Sequence, residues 1–233
     1  MTLVLRAPRR VLPWRWLIPI CGMLAIANLS GWIDSAPALE LCRPLILLLF
    51  VVHAARLPSR DKVCRRCVLA GLGCMFLGEC AMAFAPTSVA GLLFAVLAQC
   101  CYLVMIHRTV RRPRASAWHV LYALVVGWAL VMWSARPLSL FVPTAVFMCL
   151  LGLMSAQADV WWWRSRGTPQ AAAAASAAWG GLCWMLADLL WTFSQHVFWV
   201  PGTIAGTLTL YWLAQWCLAS IIGTAPAAVD PRT

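Results

Sequence analysis

An all-α membrane protein with eight transmembrane helices is the fold class the sequence predicts, on three observations. Of its 233 residues, 63% are apolar and 11% charged, where a soluble domain has about half and a quarter; the mean hydropathy is +0.82. Apolar runs of roughly 18 to 25 residues recur, each long enough to cross ~30 Å of hydrocarbon. Basic residues collect in every second connection between those runs, as the rule relating positive charge to topology requires.

Taken in order, spans are expected near 14–31, 39–55, 67–85, 88–107, 117–134, 138–157, 171–195 and 202–222. The first follows Arg6, Arg9, Arg10 and Arg15 and contains Ala25-Ile26-Ala27, an arrangement that resembles a signal peptide; we read it as a retained span. The connections "ARLPSRDKVCRR", "HRTVRRPRAS" and "WWWRSRGTP" are basic, and the four opposite ones hold a single basic residue, Arg136. Of the 18 Lys and Arg residues, 16 fall on one side, leaving Arg136 and the intramembrane Arg43. Both termini are therefore expected in the cytoplasm, in a protein of the bacterial inner membrane. The expected organisation is one membrane domain over 1–223 and a short tail over 224–233.

The net charge of +11 does not point to nucleic acid, because the basic residues sit where topology is set. The eleven cysteines, mostly scattered within apolar runs, act as small hydrophobes, and their odd number without a framework of spacings gives no support for a disulfide scaffold. The Cys64-x-x-Cys67 pair at a membrane boundary reads as an acyl site or as nothing. No G-x-S-x-G or H-E-x-x-H motif occurs, and His53, His107, His119 and His196 fall near span ends. Tryptophans cluster at span ends as an interfacial belt, Trp161-Trp162-Trp163 being the densest group.

Set without gaps, "GLGCMFLGECAMAF" (71–84) lies over "GGLCWMLADLLWTF" (180–193), and "LAQCC" (97–101) over "LAQWC" (213–217). Glu79 then meets Asp188, and Gln99 meets Gln215. The matched spans are four apart, which predicts two parallel halves, 14–107 and 117–222, with polar groups at their interface. An acidic residue at the centre of a span costs about 3 kcal/mol on insertion scales, so each carboxylate should face the bundle interior. Arg43 is the expected cationic partner. Gly71, Gly73, Gly78, Gly180 and Gly181 are expected to let helix backbones approach closely. Two facing carboxyl groups, one protonated and one ionised, form an acid–base pair suited to hydrolysis through an oxocarbenium-like state. The rival reading is a non-catalytic lipid-binding or transport protein with a charged midplane site. Pro19, Pro44, Pro143 and Pro201 are expected near or before span starts, which favours rigid helices over the broken ones of transporters.

The order "RPLILLLF", "LGECAMAF", "LAQCCYL", "LADLLWTF" and "YWLAQW" resembles the YhhN-like lysoplasmalogenase family of eight-span membrane hydrolases. That family typically carries Lys-Pro, Gly-Asp, Ala-His with a nearby Tyr, Ser-Asp and Ala-Gln in spans two, three, four, seven and eight. Here the corresponding residues are Arg43-Pro44, Gly78-Glu79, Gln99 with Tyr102, Ala187-Asp188, and Tyr211 with Gln215. The resemblance implies hydrolysis of the vinyl ether bond of a lysophospholipid, giving a fatty aldehyde and a glycerophospho-headgroup, with no metal or organic cofactor. It implies Asp188 and Glu79 as the catalytic pair. It also implies that Arg43 binds phosphate or holds Glu79 ionised, and that Gln99, Tyr102, Tyr211 and Gln215 position water and the ether oxygen.

Overall fold

The computed structural model describes residues 36–59, 61–84, 89–110, 116–197 and 202–224. The first expected span, 14–31, and residues 225–233 of the tail lie outside them. Seven helices and no strand occur among the described residues: α1 (Ala36–Arg56), α2 (Lys62–Phe84), α3 (Ala90–Thr109), α4 (Ala117–Trp133), α5 (Leu138–Ser165), α6 (Ala171–His196) and α7 (Thr203–Thr224). Helices α2, α3, α5, α6 and α7 are long and apolar enough to cross a membrane. α4 is apolar but has 17 residues.

Six of the helices close a ring. Each of α1, α2, α3, α5, α6 and α7 packs on the next, α7 returns to α1, and a further contact joins α2 to α7. Helix α4 stands outside this ring, touching α5 and α6 among the described helices. Its outer face presents Val120, Leu121, Leu124 and Val131, all exposed in the protein and suited to lipid.

Small residues set how closely the ring helices approach, as expected where lipid offers no hydrophobic drive to association. A Cβ on Gly78 would meet the Gly91 carbonyl oxygen and Phe94 Cβ, each at 3.2 Å, so α2 and α3 cross with little between their backbones. Gly181 lies 3.0 Å, by the same measure, from Ser155 Cα, and Ser155 Oγ donates to the Gly181 carbonyl at 3.1 Å. Gly180 faces Leu218 and the Ala214 carbonyl of α7, so two adjacent glycines clamp α6 to both neighbours. Gly71 faces the ring of Tyr102. Gly73 departs from the expectation: nothing lies within 4 Å of its Cβ direction, because it points away from the helix contacts.

Two further expectations are corrected by helix length. α1 begins at Ala36, so Pro44 stands well inside it rather than near its start, where it removes one N–H bond to the carbonyl a turn earlier. α5 runs to Ser165, and within its second half every residue from 154 to 161 is buried. Trp161 is therefore packed inside at 4% exposure instead of lying in the interfacial belt, while Trp163 is exposed.

Replacing Gly71 by Ala is expected to destabilise the bundle by about 1–3 kcal/mol, because a Cβ there would lie 2.5 Å from Tyr102 Cε1. Gly73→Ala should leave stability unlowered. Thermal unfolding of both variants in a mild detergent checks the contrast, and equal midpoints would contradict the packing described.

Candidate functional site

Helical periodicity brings the polar groups together. On α2, Met75, Gly78, Glu79 and Met82 share a face; on α6, Trp184, Ala187, Asp188, Trp191 and Thr192 share another; on α7, Ile204, Thr207, Leu208 and Tyr211 share a third. Those faces, with Arg43 of α1 and residues of α3 and α5, enclose a cavity of about 450 Å³. Glu79 and Asp188, which the sequence places in register, both line it.

The two carboxylates have different surroundings. Arg43 Nη2 lies 2.9 Å from Glu79 Oε2, an ion pair whose Glu79 side chain is 11% exposed. The expected partnership is thus present. Arg43 Nε is buried without a hydrogen-bond partner among the described residues, so the guanidinium retains a donor after pairing. Asp188 has no such cation: its Oδ2 is buried and meets no hydrogen-bond partner among the described residues. Tyr211 lies within electrostatic reach of both Glu79 and Arg43. Its buried hydroxyl approaches Glu79 closely enough to interact with it without forming a well-aligned hydrogen bond, and the Thr207 hydroxyl has no partner among the described residues.

Trp184 forms one wall of the cavity. Its ring meets Tyr102 and Tyr211 edge-on at 6.3 and 6.2 Å, and Phe147 at a tilt of 60° and 6.3 Å. Such edge contacts suit aromatic quadrupoles and fix the indole between three helices. It stands one turn before Asp188 on α6, so the indole and that carboxyl share a helix face and line the same cavity. Sequence reasoning assigned it no role; its spacing of four from Asp188 was the available signal.

Three of the expected residues are not in the cavity wall. Gln99, Tyr102 and Gln215 lie a turn or more further along their helices than the lining residues Ala95 and Tyr211. All three are fully buried, and Tyr102 Oη donates to Gln215 Oε1 at 3.2 Å. Among the described residues, neither amide atom of Gln99 has a hydrogen-bond partner, nor has Gln215 Nε2. They form a polar layer behind Trp184 rather than a surface that a ligand in this cavity would meet directly.

A second polar cluster joins α4 to α5. Tyr122 Oη donates to Asp159 Oδ2 at 2.9 Å, and Gln157 Nε2 and His119 Nε2 are 3.0 Å apart. Asp159 was expected beyond the end of a span; the longer α5 buries it to 7% exposure. His53 is buried and stacks on Trp216 at 4.8 Å. Cys64 and Cys67 are free thiols on the first turns of α2, Cys64 buried. No group of three or more metal-ligating side chains occurs among the described residues.

A model of the YhhN family matches residues 40–222 of the chain. No curated protein and no solved structure matches it.

A double-substitution cycle on Arg43→Gln and Glu79→Gln should show coupling. Each single change is expected to cost about 1–3 kcal/mol, and the pair less than the sum, since each single leaves a charge unpartnered. Unfolding free energies of the three variants check this; strict additivity would mean that the ion pair contributes nothing.

Proposed function

The chain belongs to the YhhN family, and from that membership we propose that this integral membrane protein hydrolyses the vinyl ether bond of lysoplasmalogen-type lysophospholipids. The observation that carries the proposal is the pair of carboxylates on one mostly apolar cavity, one tied to a cation and the other not. A lipid-derived substrate needs apolar walls, which Met75, Met82, Leu92, Phe147 and Met148 supply. A vinyl ether needs an acid to protonate carbon and a group to manage water.

The division of roles follows from the partners. Asp188, without a cation, delivers a proton to the β-carbon of the vinyl ether, and the electron pair of the double bond forms the new C–H bond. The α-carbon and ether oxygen then share the positive charge of an oxocarbenium ion. Glu79, held in place by Arg43, stabilises that cation and takes a proton from the attacking water, which forms a C–O bond at the α-carbon. The hemiacetal collapses to aldehyde as the bond from its carbon to the glycerol oxygen breaks: Glu79 returns the proton taken from water to that leaving oxygen, and the hemiacetal hydroxyl gives its own proton to Asp188, which restores both groups. Tyr211, beside Glu79, orients the water or the ether oxygen. Gln99, Tyr102 and Gln215 act through the packing of Trp184 and Tyr211.

The alternative of a binding or transport protein draws on the same polar cavity. It is less favoured because each described helix runs unbroken past the site, Pro44 included, whereas transporter sites commonly use discontinuous helices.

Purified protein in detergent is expected to release fatty aldehyde from a lysoplasmalogen. Asp188→Asn and Glu79→Gln should each lower the rate by about 10²–10⁴-fold without loss of folding. Aldehyde trapping with a colorimetric hydrazine provides the readout. A folded wild type that releases none across choline, ethanolamine and glycerol headgroups would reject the reading.

A further inference from the structure

One end of the cavity is rimmed by groups that the hydrolytic roles leave unused. Trp133, the last residue of α4, lines the cavity, and its Nε1 donates to Oγ1 of Thr192, another lining residue, at 3.2 Å. His196, the last residue of α6, meets the Trp133 ring edge-on at 5.1 Å, and its Nε2 is buried without a partner among the described residues. Arg136 follows in the α4–α5 connection, its guanidinium carbon 5.7 Å from the centroid of the same ring. The charge of Arg136 reaches His196. Arg136 is also the one basic residue in the four connections on its side of the sequence. Topology does not account for a cation there, since basic residues are otherwise confined to the opposite side.

Resting on the hydrolase reading for the identity of the ligand, we propose that Arg136, backed by His196 and braced on Trp133, binds the phosphate of a lysophospholipid at the mouth of this cavity. In a 1-alkenyl lysophospholipid, five bonds separate the ether oxygen from phosphorus, a span of ~6 Å at ordinary bond lengths. Thr192 lies one helical turn beyond Asp188 and His196 two turns, about 6 and 12 Å along the axis. A substrate with its ether oxygen at Asp188 therefore carries its phosphorus to about the level of Thr192, whose hydroxyl is bonded to Trp133 of the rim, within reach of a long side chain from the connection beyond it. The exposed Arg136 supplies a planar, forked donor suited to phosphate oxygens. Arg43 is paired with Glu79 at 2.9 Å, and its remaining donor, Nε, is buried.

The site is tested by binding, so that the result does not depend on turnover. A saturated 1-alkyl lysophospholipid, which lacks the vinyl ether, is titrated calorimetrically into the full chain in an uncharged detergent, beside the matching 1-alkylglycerol and inorganic phosphate. Wild type should prefer the phosphate-bearing lipid over the alkylglycerol. Arg136→Ala should reduce that preference by about tenfold, the worth of one charge-assisted hydrogen bond, and Arg136→Lys should recover part of it. Binding of inorganic phosphate alone should be unmeasurable. A preference unmoved by Arg136→Ala overturns the proposal, as does Arg136-dependent binding of free phosphate as tight as that of the lipid. If wild type shows the preference and loses it in Arg136→Ala yet releases no aldehyde from a lysoplasmalogen, the hydrolase reading fails and the phosphate site stands.

Discussion

A carboxylate inside a bilayer is tolerable only where protein, not lipid, surrounds it. Two of them in one bundle constrain nearly everything else. Helices α2 and α6 must turn the faces bearing Glu79 and Asp188 inward, and enough neighbours must close around them to exclude hydrocarbon. The six-helix ring does this. It can close tightly because the residues beside the carboxylates are small: Gly78 next to Glu79 meets Gly91, and Gly180 and Gly181 seat α6 two turns before Asp188. A larger side chain at those crossings would widen the ring and admit lipid or leave the polar groups poorly enclosed.

Within that enclosure the two acids are made unlike. Glu79 has a guanidinium at 2.9 Å, while Asp188, which lines the same cavity as Trp184, has no ion-pair partner among the described residues. The difference originates in a single residue of α1, Arg43, followed directly by the proline that weakens its helix there. A symmetrical pair of facing carboxyl groups would offer the same chemistry twice. An asymmetrical pair supplies a proton on one side of a bond and a stabilised negative charge on the other.

The polar groups outside the cavity have structural work. Helix α4 packs on α5 and α6 alone among the described helices, and much of its surface is apolar. Apolar contacts in lipid specify register weakly, whereas a buried polar contact tolerates little sliding. Tyr122 with Asp159 and His119 with Gln157 fix α4 against α5, and Trp133 with Thr192 fixes its far end against α6. Trp133 thereby stays at the cavity rim. The layer of Gln99, Tyr102 and Gln215 plays a similar part behind Trp184, joining α3 to α7 through one hydrogen bond.

The membrane class, the limits of most helices, the inward-facing acids and the Arg43–Glu79 partnership were legible in the sequence, because each follows from one dominant cost: exposing polar groups to hydrocarbon. Any fold of this chain must bury Glu79 and Asp188 and is driven to pair the nearby cation. The sequence could not say which buried polar residues meet the cavity and which stand a turn behind it, since Gln99, Gln215 and Tyr211 are equally costly to expose. Nor could it show that α5 continues past the expected boundary to bury Asp159, because "ADVWWWRS" reads as an interface by composition. Those outcomes rest on how helices rotate and where they end, and are decided by contacts such as Trp184 against three aromatic rings and Gly181 against Ser155. Burial is set residue by residue and can be read from a one-dimensional pattern. The choice of neighbours belongs to packing in three dimensions, and only the tertiary structure decided it.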